Sequence, residues 1–363
     1  MNQRKLRIGD LVCRTPIVQG GMGVGISMSG LASAVANEGG IGVLSAAMPG
    51  FLQPDTNANM REACIQGLRA EISKARRLSD GVLGVNIMVA LSNFEDMVKV
   101  SVEEGIDIIF AGAGMPLSLP GYLPAGSKTK LAPIVSSGRA AMLICKKWFK
   151  RYERLPDAVV VEGPMAGGHL GFKSEQLEDP AYALERLVPE AVAAVAPFEK
   201  KHGRTIPVIA AGGVYTGADI HRFLEMGAAG VQLGTRFVAT DECDAAPEFK
   251  KLFVEAAEKD IVVINSPVGM PGRAICNPFL DAVKNGEKNP RKCVFHCIRT
   301  CDPENSPYCI ALALANARRG KFGYGFAFAG QNAHRVDGIV PVKALMDELM
   351  CEYAEAVRKN RQN

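Results

Sequence analysis

Several things are missing from this chain of 363 residues, and each absence removes a class of function. Met1 to Asp10 is polar and charged, with no apolar stretch followed by a small-residue cleavage site, so no secretory signal is expected and the reading is a cytoplasmic protein. No run of 18 or more apolar residues occurs, so no membrane-spanning helix is expected. Lys and Arg are scattered apart from short pairs such as Arg76-Arg77 and Lys146-Lys147, and the formal net charge is only +4. Nucleic-acid binding needs basic residues gathered on one face, so it is not expected. The ten cysteines do not form a secreted disulfide framework: Cys13, Cys64, Cys145, Cys243, Cys276 and Cys351 stand singly and read as reduced thiols. There is no internal repeat and no G-x-G-x-x-G turn followed by an acidic residue. Gly21, Gly23 and Gly25 have the wrong spacing for that dinucleotide-binding turn.

What is present is an alternation of short apolar runs with helical patterns. The predicted strands are Ile17–Gln19, Ile41–Ser45, Val82–Val89, Ile106–Phe110, Leu131–Val135, Ala158–Val161, Pro207–Ala211 and Gly230–Leu233. The predicted helices are Ser29–Glu38, Arg61–Leu78, Asn93–Glu104, Gly138–Tyr152, Pro180–Ala196 and Gly217–Met226, with Val342–Arg358 as the last. The strands are continuous Val/Ile runs, as burial on both faces requires. Eight such units predict an α/β fold of the (β/α)8 TIM-barrel type rather than an open doubly wound sheet. From about Cys243 to Gly330 the alternation breaks, which predicts a barrel from 1–242 and 331–363 with a small cysteine-containing cap, 243–330, inserted after strand eight.

In such barrels the chemistry sits at the C-terminal ends of the strands. Ala210-Ala211-Gly212-Gly213 ends strand seven and Gly234-Thr235-Arg236 ends strand eight. Glycines there let backbone N–H groups approach phosphate oxygens, and Thr235 adds a hydroxyl. Taken singly, these glycines could simply make tight turns; as a pair they predict a phosphate site. Strand six runs into Glu162-Gly163-Pro164-Met165-Ala166-Gly167-Gly168-His169, and a histidine among glycines at a strand end suits proton transfer or substrate positioning. Ser136-Ser137-Gly138 reads as a helix N-cap or a ligand contact. Lys128 and Lys130 are either solvated or close to an anionic group, and Phe322 to Gly330 either lines the mouth or packs the cap.

Taken together, Pro16 to Met22, Gly84 to Met88, Ala166 to His169, Ile206 to Gly213 and Gln232 to Phe237 resemble the nitronate monooxygenase superfamily over about residues 10–240. That group was formerly called the 2-nitropropane dioxygenases and includes the FMN-dependent enoyl-acyl-carrier-protein reductases of the second type. The resemblance implies a flavoprotein oxidoreductase. Gly21, Met22 and Gly23 would lie along the flavin ring, with Asn86 near its pyrimidine edge. Gly167 and Gly168 would lie beside the cofactor, and Ala211, Gly212, Gly213, Gly234 and Thr235 would hold the phosphate. His169 would be the catalytic or substrate-orienting residue. Nitronate-oxidising members often carry a Ser-Phe-His-Phe-Gly type sequence after strand four; here Gly112-Ala113-Gly114-Met115-Pro116 is more similar to the enoyl reductases. The expectation is NAD(P)H-dependent reduction of an activated C=C bond in a small-molecule substrate, with nitronate monooxygenase activity as the alternative and a homodimer as the family's usual assembly.

Cys293, Cys297, Cys301 and Cys309 remain. If the segment is helical, the first three fall on one face, where thiolates could hold an iron–sulfur cluster or zinc. The spacing matches neither a zinc finger nor the common ferredoxin run, so reduced thiols packed in the cap are the competing reading. An oxygen-sensitive cluster would count against an O2-using monooxygenase.

Overall fold

A computed structural model describes residues 4–53, 59–287 and 293–362. Eight parallel strands form one barrel: Ile17–Gln19, Gly42–Ser45, Leu83–Met88, Ile108–Gly112, Lys130–Val135, Val159–Glu162, Val208–Ala211 and Gly230–Leu233, here called barrel strands one to eight. Each pairs with its sequence neighbour, and strand eight pairs with strand one through Val231 opposite Ile17. Strand one meets strand two through a parallel bridge between Val18 and Ile41, which closes the ring.

The two sides of each strand face different cores. Inward residues Val18, Val43, Phe110, Ala132, Val160 and Ile209 fill the barrel. A hairpin of Leu6–Ile8 and Leu11–Cys13 adds Leu6, Ile8 and Cys13 to the same cluster and plugs the N-terminal end. Outward residues Leu44, Val85, Ile109, Val161 and Ala210 join a second cluster with the helices. The Phe110 ring occupies the barrel interior because residue 84 has no side chain: a Cβ on Gly84 would stand 2.9 Å from the ring. Filling of this kind makes the barrel a packed core, not a pore.

Helices Ser29–Asn37, Met60–Leu78, Phe94–Glu103, Gly138–Tyr152, Leu184–His202 and Gly217–Glu225 cover the outside. Their starts follow local chemistry. Asn59 accepts from the Glu62 N–H, and Ser137 from the Ala140 N–H, so Ser137 is a helix cap. Thr216 and Asp219 make a reciprocal capping box. The connection from strand four to strand five holds only the 3-10 turn Leu119–Tyr122. The helix after strand six runs past Pro197 to His202, beyond the Ala196 limit expected from sequence, with Leu184, Leu187, Val188, Ala191 and Val195 buried against the barrel. Val342–Gln362 completes the ring. It packs on Gly217–Glu225 at a point where a Cβ on Gly217 would come within 2.2 Å of the Leu349 carbonyl.

The stretch between strand eight and this last helix carries Pro247–Glu255, the antiparallel pair Ile261–Asn265 and Pro271–Ile275, Pro278–Lys284 and Ile310–Arg318. Pro271–Ile275 also pairs with Gly168–His169, so the loop after strand six supplies a third strand to this small sheet. Ala311 and Ala315 share the outer core of the barrel, and Phe253 packs with Ile26 and Val238. Among the described residues, no helix is long and apolar enough to cross a membrane.

Candidate active site

The strand ends and the inserted segment enclose a cavity of about 300 Å³ at the C-terminal mouth of the barrel, at the lower end of the range for small-molecule sites. His169, Gly21, Met22, Gly23, Asn86, Gly167, Gly168, Ala211, Gly212, Gly213, Gly234 and Thr235 all line it. Residues scattered over two hundred positions therefore share one surface, because every barrel strand delivers its C-terminal end to the same side.

One wall is kept flat by missing side chains. A Cβ on Gly21 would stand 2.3 Å from the Asn86 Cβ, so Asn86 can hold its position in strand three only while residue 21 is glycine. At the far end, Gly212 has φ +83° and Gly213 φ +115°, the left-handed backbone that favours glycine. Among the described residues, the N–H groups of Gly213, Gly234 and Thr235 find no protein acceptor, and the last two stand at the start of the short helix Thr235–Val238. Helix-start N–H groups of this kind are suited to anionic oxygen. The Thr235 hydroxyl accepts from the Gly330 N–H at 3.1 Å, which leaves its own hydrogen free to donate. The Asn332 amide donates to the Gly213 carbonyl at 2.9 Å. The end of the inserted segment is thus fastened to the proposed phosphate cradle.

His169 does not stand in open space among its glycines. Its backbone is held in the ladder of the cap sheet, with Gly272 opposite. Its Nε2 lies 2.7 Å from the Ser266 hydroxyl, and its ring meets Phe328 edge-on at 4.9 Å between centroids. Burial lowers its pKa to about 4, so the imidazole is neutral at physiological pH. Glu162 ends strand six in the same cavity, where it is half-buried, and burial raises its carboxyl to about 7. The buried Arg273 donates from one Nη to the carbonyls of Pro164 at 2.5 Å and Ala166 at 2.7 Å. It fixes the loop that joins Glu162 to His169. The arrangement can orient a polar substrate with a neutral imidazole and offer a proton from a weakly acidic carboxyl.

Ser266 and Arg273 were not singled out from sequence, because their partners are nearly a hundred residues or more away. Glu162 carried a usable signal: a carboxylate at the end of a Val-rich barrel strand faces the mouth. Lys130 belongs at the other end of the barrel, where it pairs with Asp10. Phe328, Ala329 and Gly330 do line the cavity.

The cysteine expectation needs correction. Cys293 to Cys301 is not helical, so its thiols do not share a helical face. Among the described residues, no three His, Cys, Asp or Glu side chains are close enough together to hold a single metal ion, which counts against zinc at Cys293, Cys297, Cys301 and Cys309. Of the four, Cys297 lines the cavity.

Comparison with known proteins places this geometry in context. A profile of the nitronate monooxygenase family matches residues 5–352. The (3aS,4S,5R,7aS)-5-hydroxy-7a-methyl-1-oxo-octahydro-1H-indene-4-carboxyl-CoA dehydrogenase of Mycobacterium tuberculosis is 31% identical over 273 residues, 75% of this chain. The alignment spans 66% of that relative's length. A probable nitronate monooxygenase of Bacillus subtilis is 27% identical, covering 93% of this chain and 95% of the relative. The structure of FabK from Thermotoga maritima superposes with a TM-score of 0.71 at 28% identity, covering 96% of this chain and 95% of that one.

Proposed function

The chain belongs to the nitronate monooxygenase family and is an enzyme of the oxidoreductase type, and from its site we propose that it binds FMN and reduces an activated C=C bond with electrons from NAD(P)H. The observation that carries this reading is the pairing, in one cavity, of a glycine-walled cradle with unpartnered N–H groups and a neutral His169.

The residues fit the cofactor. Gly213, Gly234 and Thr235 would donate to its phosphate, Gly21, Met22 and Gly23 would face its ring, and Asn86 would bond its polar edge. A flavin, when bound, supplies reversible two-electron chemistry. His169, fixed by Ser266, would hold the electron-withdrawing group of the substrate by a hydrogen bond. Glu162 would supply a proton, since its raised pKa leaves it substantially protonated near neutrality. Phe328 and the helix Ile310–Arg318 would keep water out. A thioester as the activating group is supported by the mycobacterial relative, whose name specifies a carboxyl-CoA.

Nitronate oxidation with O2 is the second reading, favoured by the name of the Bacillus relative, which matches nearly end to end. In that reading the substrate itself supplies the electrons, so the two readings differ in their electron donor. The deciding experiment is anaerobic titration of the flavin-loaded protein, followed at the flavin absorbance band, with NADH, NADPH and propyl-2-nitronate in separate cuvettes. Bleaching by a nicotinamide that an enoyl thioester reverses supports the reductase. Bleaching by the nitronate alone, reversed by air, overturns it in favour of the nitronate monooxygenase.

A further inference from the structure

One end of the cavity is apolar, and the inserted segment builds it. Asn86 and Met88 project from the same side of barrel strand three, because successive side chains alternate across a strand. Both line the cavity, so its wall turns from an amide to a thioether within one step toward the mouth. Leu91 follows in the same lining and is 2% exposed. The insert closes over this loop. Ile298 bridges Leu91, the Cys297 carbonyl accepts from the Ser92 N–H at 3.0 Å, and the Arg299 N–H donates to the Ala90 carbonyl at 2.9 Å. Phe295 meets Phe51 edge-on at 5.2 Å, which ties the same segment to the turn Pro49–Leu52 beside Met48.

The helix Ile310–Arg318 supplies the other side. Ile310 and Leu314, four residues apart, share a helix face that lines the cavity, with Ala311 beside them. Leu312 points outward and is 44% exposed. Ala311 brings only a methyl group to this wall, so space that a longer side chain would fill stays open. Ile298 and Leu314 pack on the same apolar cluster as Phe328, whose ring meets His169. The apolar end therefore adjoins the candidate catalytic ring. Cys297 adds a thiol to it, and burial pushes that thiol up to about 12, so it stays uncharged. The wall offers a ligand no charged side chain, in contrast to the strand ends, which bring Glu162, His169 and Asn86.

We propose that Ile298, Ala311 and Leu314 form the end wall of a subsite for the hydrocarbon body of the substrate, and that they limit this body to a short or compact group. The proposal rests on the reductase reading for its reaction: with the activating carbonyl held at His169, the carbons beyond the C=C bond would run toward Leu91 and the helix. Each methylene buried there is worth about fourfold in affinity. The gain ends at the bridge between Leu91 and Ile298, where a further methylene must push packed side chains apart.

The test compares crotonyl-, hexenoyl-, octenoyl- and dodecenoyl-CoA as substrates of the flavin-loaded full chain. kcat/KM should rise over the short thioesters and fall about tenfold or more at dodecenoyl-CoA. Leu314→Ala should move the preference toward longer chains, raising the dodecenoyl-to-hexenoyl ratio about tenfold, and Ala311→Leu should move it toward crotonyl-CoA. Leu312→Ala, on the exposed side of the same helix, should keep the wild-type profile. Saturated butyryl-, hexanoyl- and dodecanoyl-CoA, titrated calorimetrically into the same protein, separate the subsite from the reaction. A short-chain preference in binding without turnover of any enoyl thioester keeps the subsite and removes the reductase reading. Turnover and binding indifferent to chain length, or variants that slow every chain equally, overturn the subsite and leave the reductase reading standing. Absence of both binding and turnover overturns the two together. Should the variants be insoluble, the wild-type chain-length profiles decide alone.

Discussion

The Nε2 of His169 and the hydroxyl of Ser266 lie 2.7 Å apart, across 97 positions of sequence. One comes from the loop after barrel strand six and the other from the hairpin of the inserted segment, so the insert positions the candidate catalytic ring. Ser266→Ala should lower kcat/KM about tenfold by freeing the imidazole, and His169→Ala by about a hundredfold or more. Because the serine acts through the histidine, the double variant should be no slower than His169→Ala alone. Additive losses in steady-state rates would show that Ser266 has a separate role.

The carboxyl of Glu162 governs the pH response. Burial lifts it to about 7, so the folded chain keeps a proton that the unfolded chain releases above its ordinary value of 4.5. Its contribution to stability is present at low pH and is lost as pH rises through about 7. Turnover that draws on this proton should fall over the same range. Glu162→Gln should flatten the alkaline limb, and in urea denaturation it should gain stability relative to wild type at about pH 8 more than at about pH 5. His169 works in the opposite sense. Its depressed pKa makes stability fall as pH drops from 6.5 toward about 4, and no activity limb near 6.5 should appear. An alkaline limb unchanged in Glu162→Gln would remove the glutamate from the proton path.

Gly212 lies in the proposed phosphate cradle. An alanine there would meet both a left-handed backbone and the Gly163 carbonyl, 2.7 Å from the new Cβ. The conformational term alone is about 1–2 kcal/mol, so FMN affinity should fall about tenfold or more. Gly338→Ala, with open space around it, is the control. Fluorescence titration of apoprotein with FMN measures both, and equal affinities would place the phosphate elsewhere.

Much of this was legible in the sequence because barrel architecture is periodic. Continuous Val/Ile runs marked all eight strands, and glycines at their ends marked one face of the molecule. Contacts built by the insert were not legible. His169 reads as an isolated residue until Pro271–Ile275 is laid beside it, and nothing local to Ser266 or Arg273 announces a partner more than ninety residues away. The cysteine segment misled for a related reason. A four-residue spacing suggested a helix, but pairing with Leu91 and Ser92 holds the chain in an irregular path instead.

Asp244, at the start of the insert, caps a helix of the barrel. Its carboxylate accepts from the N–H groups of Met28 at 2.8 Å, Gly30 at 3.0 Å and Leu31 at 3.1 Å, the first turn of Ser29–Asn37. Arg318, from the far end of the insert, donates to the Gly25 carbonyl at 2.8 Å and the Asp244 carbonyl at 3.3 Å. Asp244→Ala strands three buried N–H groups together and should cost about 2–3 kcal/mol, whereas Asp244→Asn keeps one acceptor and should cost less. If barrel and insert fold as one unit, far-ultraviolet circular dichroism and flavin release should shift together in denaturant. A shift in flavin release with the dichroism transition unmoved would confine Asp244 to ordering the glycine loop beside the ring. The insert would then be an attachment to the barrel rather than part of its folding unit.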